Sequence, residues 1–141
     1  MTVIERLWLT YELPAVDGLY FADGRAYEVS ASRAERVLRI NEALDVEQLL
    51  SEEPDLVACV DGLSTHELGD GDVLWAGEGC YGSDGFFGRV RSDRGLVWAV
   101  FLEEADPFRT IQVSGRQATF TSTSGTVITV DIDDPSTTGT A

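Results

Sequence analysis

The second half of the chain is a succession of short apolar segments cut by turn residues, and this pattern leaves room for little except β-strands. The segments are "FFGRVRS", "GLVWAVFLE", "FRTIQVS", "QATFTST" and "TVITVDID", with breaks at Asp93-Arg94, Ser114-Gly115-Arg116 and Ser124-Gly125. Each segment is too short for a typical helix, and most alternate apolar with polar residues as a half-buried strand does. "LVWAVFL" is apolar at every position and is expected to be a central strand covered on both faces. If residues 91 and 96 pair, Arg89 stands opposite Trp98 with Phe87 on the same face, forming either a cation–π contact or an exposed patch.

The first half is mixed. "RLWLTYEL" alternates as a strand, and "GLYFADGRAYEVS" reads as a hairpin about Asp23-Gly24. In "SRAERVLRINEAL" the spacing of Ala34, Val37, Leu38 and Leu44 predicts a helix, with Ser32 and Glu35 as its capping box. A shorter helix is expected from Val46 to about Glu52, with Asp45 as N-cap and Pro54 just beyond. "DLVACVD" is a strand, followed by the loop "GLSTHELGDGD". The expected fold is α+β. It is a single domain over residues 1–133, with a largely antiparallel sheet, two short helices in the N-terminal half and a flexible tail at 134–141.

Two short motifs suggest chemistry that their surroundings oppose. "GEGCYG", residues 77–82, matches G-x-G-x-x-G, but a dinucleotide site needs a helix after the glycines and "GFFGRVR" is another strand. A P-loop or a kinase needs a lysine, and the chain has none. The glycines are therefore expected to form a connection between strands, and no nucleotide cofactor is predicted. "HELGD" begins like the zinc-peptidase helix, with His66 and Glu67 in place and Asp70 at the second ligand position. Gly69, Gly71 and the lack of a second histidine oppose that helix, so no metal is expected and His66 is assigned to a surface loop. Cys59 and Cys80 match no C-x-x-C spacing, and both are expected to be reduced thiols.

Charge is the more informative property. The 141 residues carry 25 carboxylates against 10 basic side chains, a net charge of −15, and every basic residue is arginine. The lack of lysine, whose codons are A-rich, suggests a GC-rich bacterial genome. So negative a field repels nucleic acid and attracts basic proteins. Between Arg39 and Arg89 there is no basic residue, yet the segment holds Glu42, Asp45, Glu47, Glu52, Glu53, Asp55, Asp61, Glu67, Asp70, Asp72, Glu78 and Asp84. Aromatic rings interleave with this acid. The expected partner-binding surface is Glu67, Asp70, Asp72, Trp75, Glu78, Tyr81, Asp84, Phe86 and Phe87, although strand alternation sends one of Phe86 and Phe87 to the core.

No catalytic set is evident, and "MTVIERLWLTYELP" has neither the long apolar run of a membrane span nor the pattern of a signal peptide. The expectation is a cytoplasmic, non-enzymatic binding protein that neutralises a basic protein partner, most plausibly an immunity protein against a bacterial toxin. Two alternatives remain. One is a small enzyme or metal protein using His66 with Cys80 or Glu67; the other is a structural or regulatory subunit of a larger complex.

Overall fold

A computed structural model of the chain describes residues 1–80 and 82–137. It is mostly β, so the α+β expectation is corrected: 51% of the described residues are in strands and 10% in helices. In chain order the elements are α1 (Val3–Trp8), β1 (Glu12–Pro14), β2 (Gly18–Phe21), β3 (Ala26–Ser32), β4 (Val37–Ala43), α2 (Val46–Glu52) and β5 (Val57–Glu67). They continue with β6 (Val73–Gly79), β7 (Gly85–Val90), β8 (Leu96–Leu102), β9 (Phe108–Ser114), β10 (Gln117–Ser122) and β11 (Val127–Asp131). One sheet contains all the strands in the order β1-β5-β6-β7-β8-β2-β3-β4-β11-β10-β9. Every pairing is antiparallel except β4 with β11, and the sheet curls until β9 packs back against β5, β6 and β7.

Curling gives the sheet two apolar faces. Inside the curl, Phe87 stacks on Phe120 with centroids 4.1 Å apart and meets Phe108 and Trp98 edge-on. The indole of Trp98 is fully buried, and its Nε1 donates to the Ile132 carbonyl at 2.9 Å. Outside the curl, α1 and α2 cover Leu13, Tyr20, Ala58, Phe86 and Phe101 with Ile4, Trp8 and Val46. Strand β8 is buried at six of its seven positions and half-buried at the other, as its uniformly apolar sequence requires.

The hairpins follow their turn chemistry. Gly24, Gly115 and Gly125 take φ of 98°, 60° and 88°, conformations in which a Cβ is strained. The β7–β8 hairpin turns at Asp93-Arg94 and does pair Arg89 with Trp98, because a bulge after Arg89 shifts the register to Val90 opposite Leu96.

Four local expectations are overturned. The helix predicted over residues 32–44 is the end of β3, a turn and β4. The Glu35 amide does donate to Ser32 Oγ at 3.3 Å, but the Arg36 amide then closes on the Ser32 carbonyl and Arg36 turns left-handed at φ 59°. The capping signal is thus satisfied by a single turn, and Leu38 and Ile40 alternate with Arg39 and Asn41 along a strand.

Part of the predicted first strand is instead α1. Its capping box is Thr2 with Glu5, in which each side chain accepts from the other residue's amide. The loop assigned to residues 62–72 is largely strand, because β5 runs to Glu67 and His66 sits on it opposite Leu74. Cys59 and Cys80 form a disulfide, with Cα atoms 5.7 Å apart. Cys59 lies on the exposed side of β5, and the Val60–Gly79 pairing sets position 80 directly across from it. The second helix and its Asp45 cap lie where the sequence places them.

The glycine motif has a steric explanation. Gly77 and Gly79 belong to β6, and a Cβ on Gly77 would overlap the Asp61 carbonyl beside the β5 bulge at Gly62–Ser64. Gly77→Ala should therefore destabilise the fold by about 2 kcal/mol or more, through forced backbone displacement. Chemical denaturation measures this; an unchanged midpoint would remove the packing explanation.

Candidate functional site

The pairing register carries a line of carboxylates across the sheet, at one end of β6, β7, β8 and β2 and within β5 and β3. Asp61 pairs with Glu78, Glu78 with Gly85 and Gly85 with Leu102, while Gly18 pairs with both Phe101 and Glu28. Asp84 precedes Gly85, Glu103 follows Leu102 and Asp17 precedes Gly18, so each of these acids stands at the same end of its strand. The rim therefore runs Asp61, Glu78, Asp84, Glu103, Asp17, Glu28, with Glu104 and Asp106 in the β8–β9 connection beside it. Six adjacent strands at a spacing of about 4.8 Å extend it over roughly 24 Å.

Among the described residues, none of these carboxylates forms an ion pair. The paired acids lie elsewhere. At the opposite end Arg89, largely buried, holds Asp70, Asp72 and Asp133 at 2.8, 2.9 and 3.0 Å. Arg116 bridges Asp131 and Asp133, Arg91 pairs with Asp93, and Arg25 with Asp23. Arg33 lines a shallow depression of 240 Å³ with Asp17 and Glu104, and Arg94 lines another with Asp61, but among the described residues neither comes within 4 Å of a rim carboxylate.

Local structure explains how the rim acids are held. The Asp17 carboxylate accepts from the Glu103 amide at 2.7 Å, tying the start of β2 to the end of β8. Asp84 is only 7% exposed and lies across Gly79, where a side chain would collide with it. Desolvation raises the carboxyl pKa of Asp84, and the charge of Asp17 adds to it. Desolvation likewise raises Asp17 and Glu103, reinforced by Glu104 for the first and by Asp17, Asp84 and Glu104 for the second. Asp61 directly opposite Glu78 is a further like-charge pair of the kind that destabilises a sheet.

The expected binding residues are divided among several places. Glu78 and Asp84 lie on the rim. Asp70 and Asp72 are at the other end, neutralised by Arg89, and exposed Glu67 ends β5 near them. Trp75 is half-buried on the helix-covered face against Trp8 and Tyr11. Phe86 and Phe87 are both completely buried, one in each core, so neither is a surface ring. Tyr81 lies outside the described residues.

His66 and Glu67 are on a strand rather than a helix, and His66 stands apart from the Cys59–Cys80 bridge. Among the described residues, no group of three or more His, Cys, Asp and Glu side chains is arranged to hold a metal, and no helix is long and apolar enough to cross a membrane. The rim members missed in the sequence were Asp17, Glu28, Asp61, Glu103, Glu104 and Asp106. Their signal was position: several flank a strand at the end away from the Asp23-Gly24 and Asp93-Arg94 turns.

These shifts set the pH dependence of stability. A carboxyl with a raised folded-state pKa binds its proton more readily in the folded chain, so acidification from neutrality favours folding until the ordinary values of 3.8 for Asp and 4.5 for Glu are reached. Asp23 and Asp133 act oppositely. The Arg25 amide lowers the first and Arg89 the second, so their contribution is lost as pH falls through those lowered values. The thermal midpoint should rise as pH is lowered from neutrality towards about 4.5, and Asp84→Asn should reduce that rise while raising the midpoint at neutral pH. A midpoint that falls over this interval would contradict the reading. No protein family, curated protein or solved structure matches the chain.

Proposed function

We propose that the chain is a non-catalytic binding protein that docks a basic protein through the acidic rim. The observation that carries this reading is the line of carboxylates across six neighbouring strands, with no arginine within ion-pairing distance among the described residues. Mutual repulsion and desolvation make this arrangement costly in the free protein. A cation-rich surface relieves both costs, and the rim's field accelerates the encounter. Blocking the active surface of a bacterial toxin is the role we assign to the complex, since a toxin that binds phosphate groups presents the lysines and arginines this rim would meet. The partner region is accordingly moved from the residue 67–87 segment as a whole to the rim, with Glu78 and Asp84 retained.

The partner can be recovered by chemical crosslinking in the source cell, and its association rate with purified protein then measured against ionic strength. The triple variant Glu78→Gln/Asp84→Asn/Glu103→Gln should associate at least about tenfold more slowly at low salt and show a weaker salt dependence. Asp70→Asn/Asp72→Asn should associate at nearly the wild-type rate, because Arg89 already neutralises those acids. If the second variant loses as much as the first, or the partner is acidic, the rim is not the docking surface.

A further inference from the structure

A second site adjoins the Asp61 end of the rim, in the cleft between the α1–β1 connection, β5, β6 and the β7–β8 turn. Tyr11, Val60, Asp61, Gly62, Thr65, Trp75 and Arg94 line a depression of 260 Å³. The rings of Tyr11 and Trp75 are stacked, with centroids 5.9 Å apart and planes 29° from parallel. Gly62 lets the indole settle on the β5 backbone, since a Cβ there would already touch the Trp75 ring at 3.4 Å.

Two side-chain-bearing residues of this cleft have left-handed backbones, Tyr11 at φ 53° and Arg94 at φ 71°. Large residues adopt that conformation at a cost that glycine avoids, and such strain concentrates at functional positions. Arg94 is the more telling case. Gly95 sits next to it, yet the left-handed position is filled by arginine. The Arg94 backbone is fixed on both sides, its amide donating to the Arg91 carbonyl at 2.8 Å and its own carbonyl accepting from Trp8 Nε1 at 2.9 Å.

The charges around the cleft leave Arg94 uncompensated. Among the described residues it forms no ion pair. In the adjoining depression Glu5 is held by the Thr2 amide and Arg91 pairs with Asp93 at 3.8 Å. Asp61 borders the cleft, but strand alternation between Val60 and Gly62 turns its carboxylate to the other face, opposite Glu78.

A half-buried aromatic pair beside an arginine whose backbone is fixed, and which forms no ion pair among the described residues, fits a ligand that has a ring and an anion. We propose that this cleft binds a small aromatic carboxylate, with its ring against Tyr11 and Trp75 and its carboxylate on Arg94. This site adjoins the rim at Asp61 but takes a different ligand from the partner proposed there.

Titration calorimetry with benzoate, 4-hydroxyphenylacetate and indole-3-acetate tests the assignment, with indole-3-acetamide and tryptamine as the uncharged and cationic counterparts of the last. At least one acid should bind saturably at one per chain. For the indole series, the amide should bind at least about tenfold more weakly than the acid and the amine should not bind, as expected for a charge-assisted contact. Arg94→Gly separates ligand binding from a structural role, because it removes the guanidinium and relieves the left-handed strain together. The variant should keep or raise the thermal midpoint while losing affinity for the acid. Saturation by none of the three acids, equal affinity for acid and amide, or an Arg94→Gly variant that binds like the parent would each overturn the proposal.

Discussion

Strands β7 and β8 are buried on both faces, and the rest of the molecule is arranged to provide that burial. Phe86 points to the helices and Phe87 to the inside of the curl, and both are completely excluded from solvent. Neither face alone could bury the pair. The inner face needs β9, β10 and β11 folded back to bring Phe108 and Phe120 onto Phe87, while the outer face needs α1 to set Trp8 against Phe86. Burying a phenylalanine is worth about 1.5–3 kcal/mol, so a chain carrying 15 net negative charges depends on such rings to offset its self-repulsion.

Double-sided burial also decides where charge can sit. With little solvent-facing surface on the central strands, acidic residues are displaced to the strand ends and the connections. The two ends are treated differently. One receives the arginines that follow the sheet's outer turns, and Arg89, nearly enclosed, gathers three aspartates around itself. The other receives acids from β2, β3, β5, β6 and the connections beside β7 and β8, without a paired cation among the described residues. Charge segregation evident in the sequence thus becomes a located surface only when the strands are ordered, since Asp17 and Glu103 are distant in sequence yet joined by a hydrogen bond.

That dependence marks what was legible beforehand. The C-terminal strands, the double-sided β8 and the Asp45-capped helix could be read because each signal is local: alternation, a turn dipeptide, a cap. The segment after Ser32 could not, because its capping signal is real and is consumed by one turn, after which pairing with β3 and β11 takes the chain into a strand. The reverse occurred at the N-terminus, where alternation from Leu7 to Leu13 obscured the Thr2–Glu5 box. The disulfide and the rim depend on which strands are neighbours. Acid composition suggested a binding surface but could not distinguish Asp70 and Asp72, which Arg89 satisfies, from Glu78 and Asp84, which lack an ion-pairing cation among the described residues.

The rim carboxylates have no ion-pairing partner among the described residues, while Arg89 neutralises those at the opposite end. Site-resolved carbon NMR titration of the Asp and Glu carboxyls measures this directly. Asp17, Asp84 and Glu103 should titrate above the ordinary carboxylate range, and Asp133, held by Arg89, below it. If the rim acids instead titrate at or below ordinary values, they are already compensated in the free protein, and the electrostatic basis for a basic partner at this surface is gone.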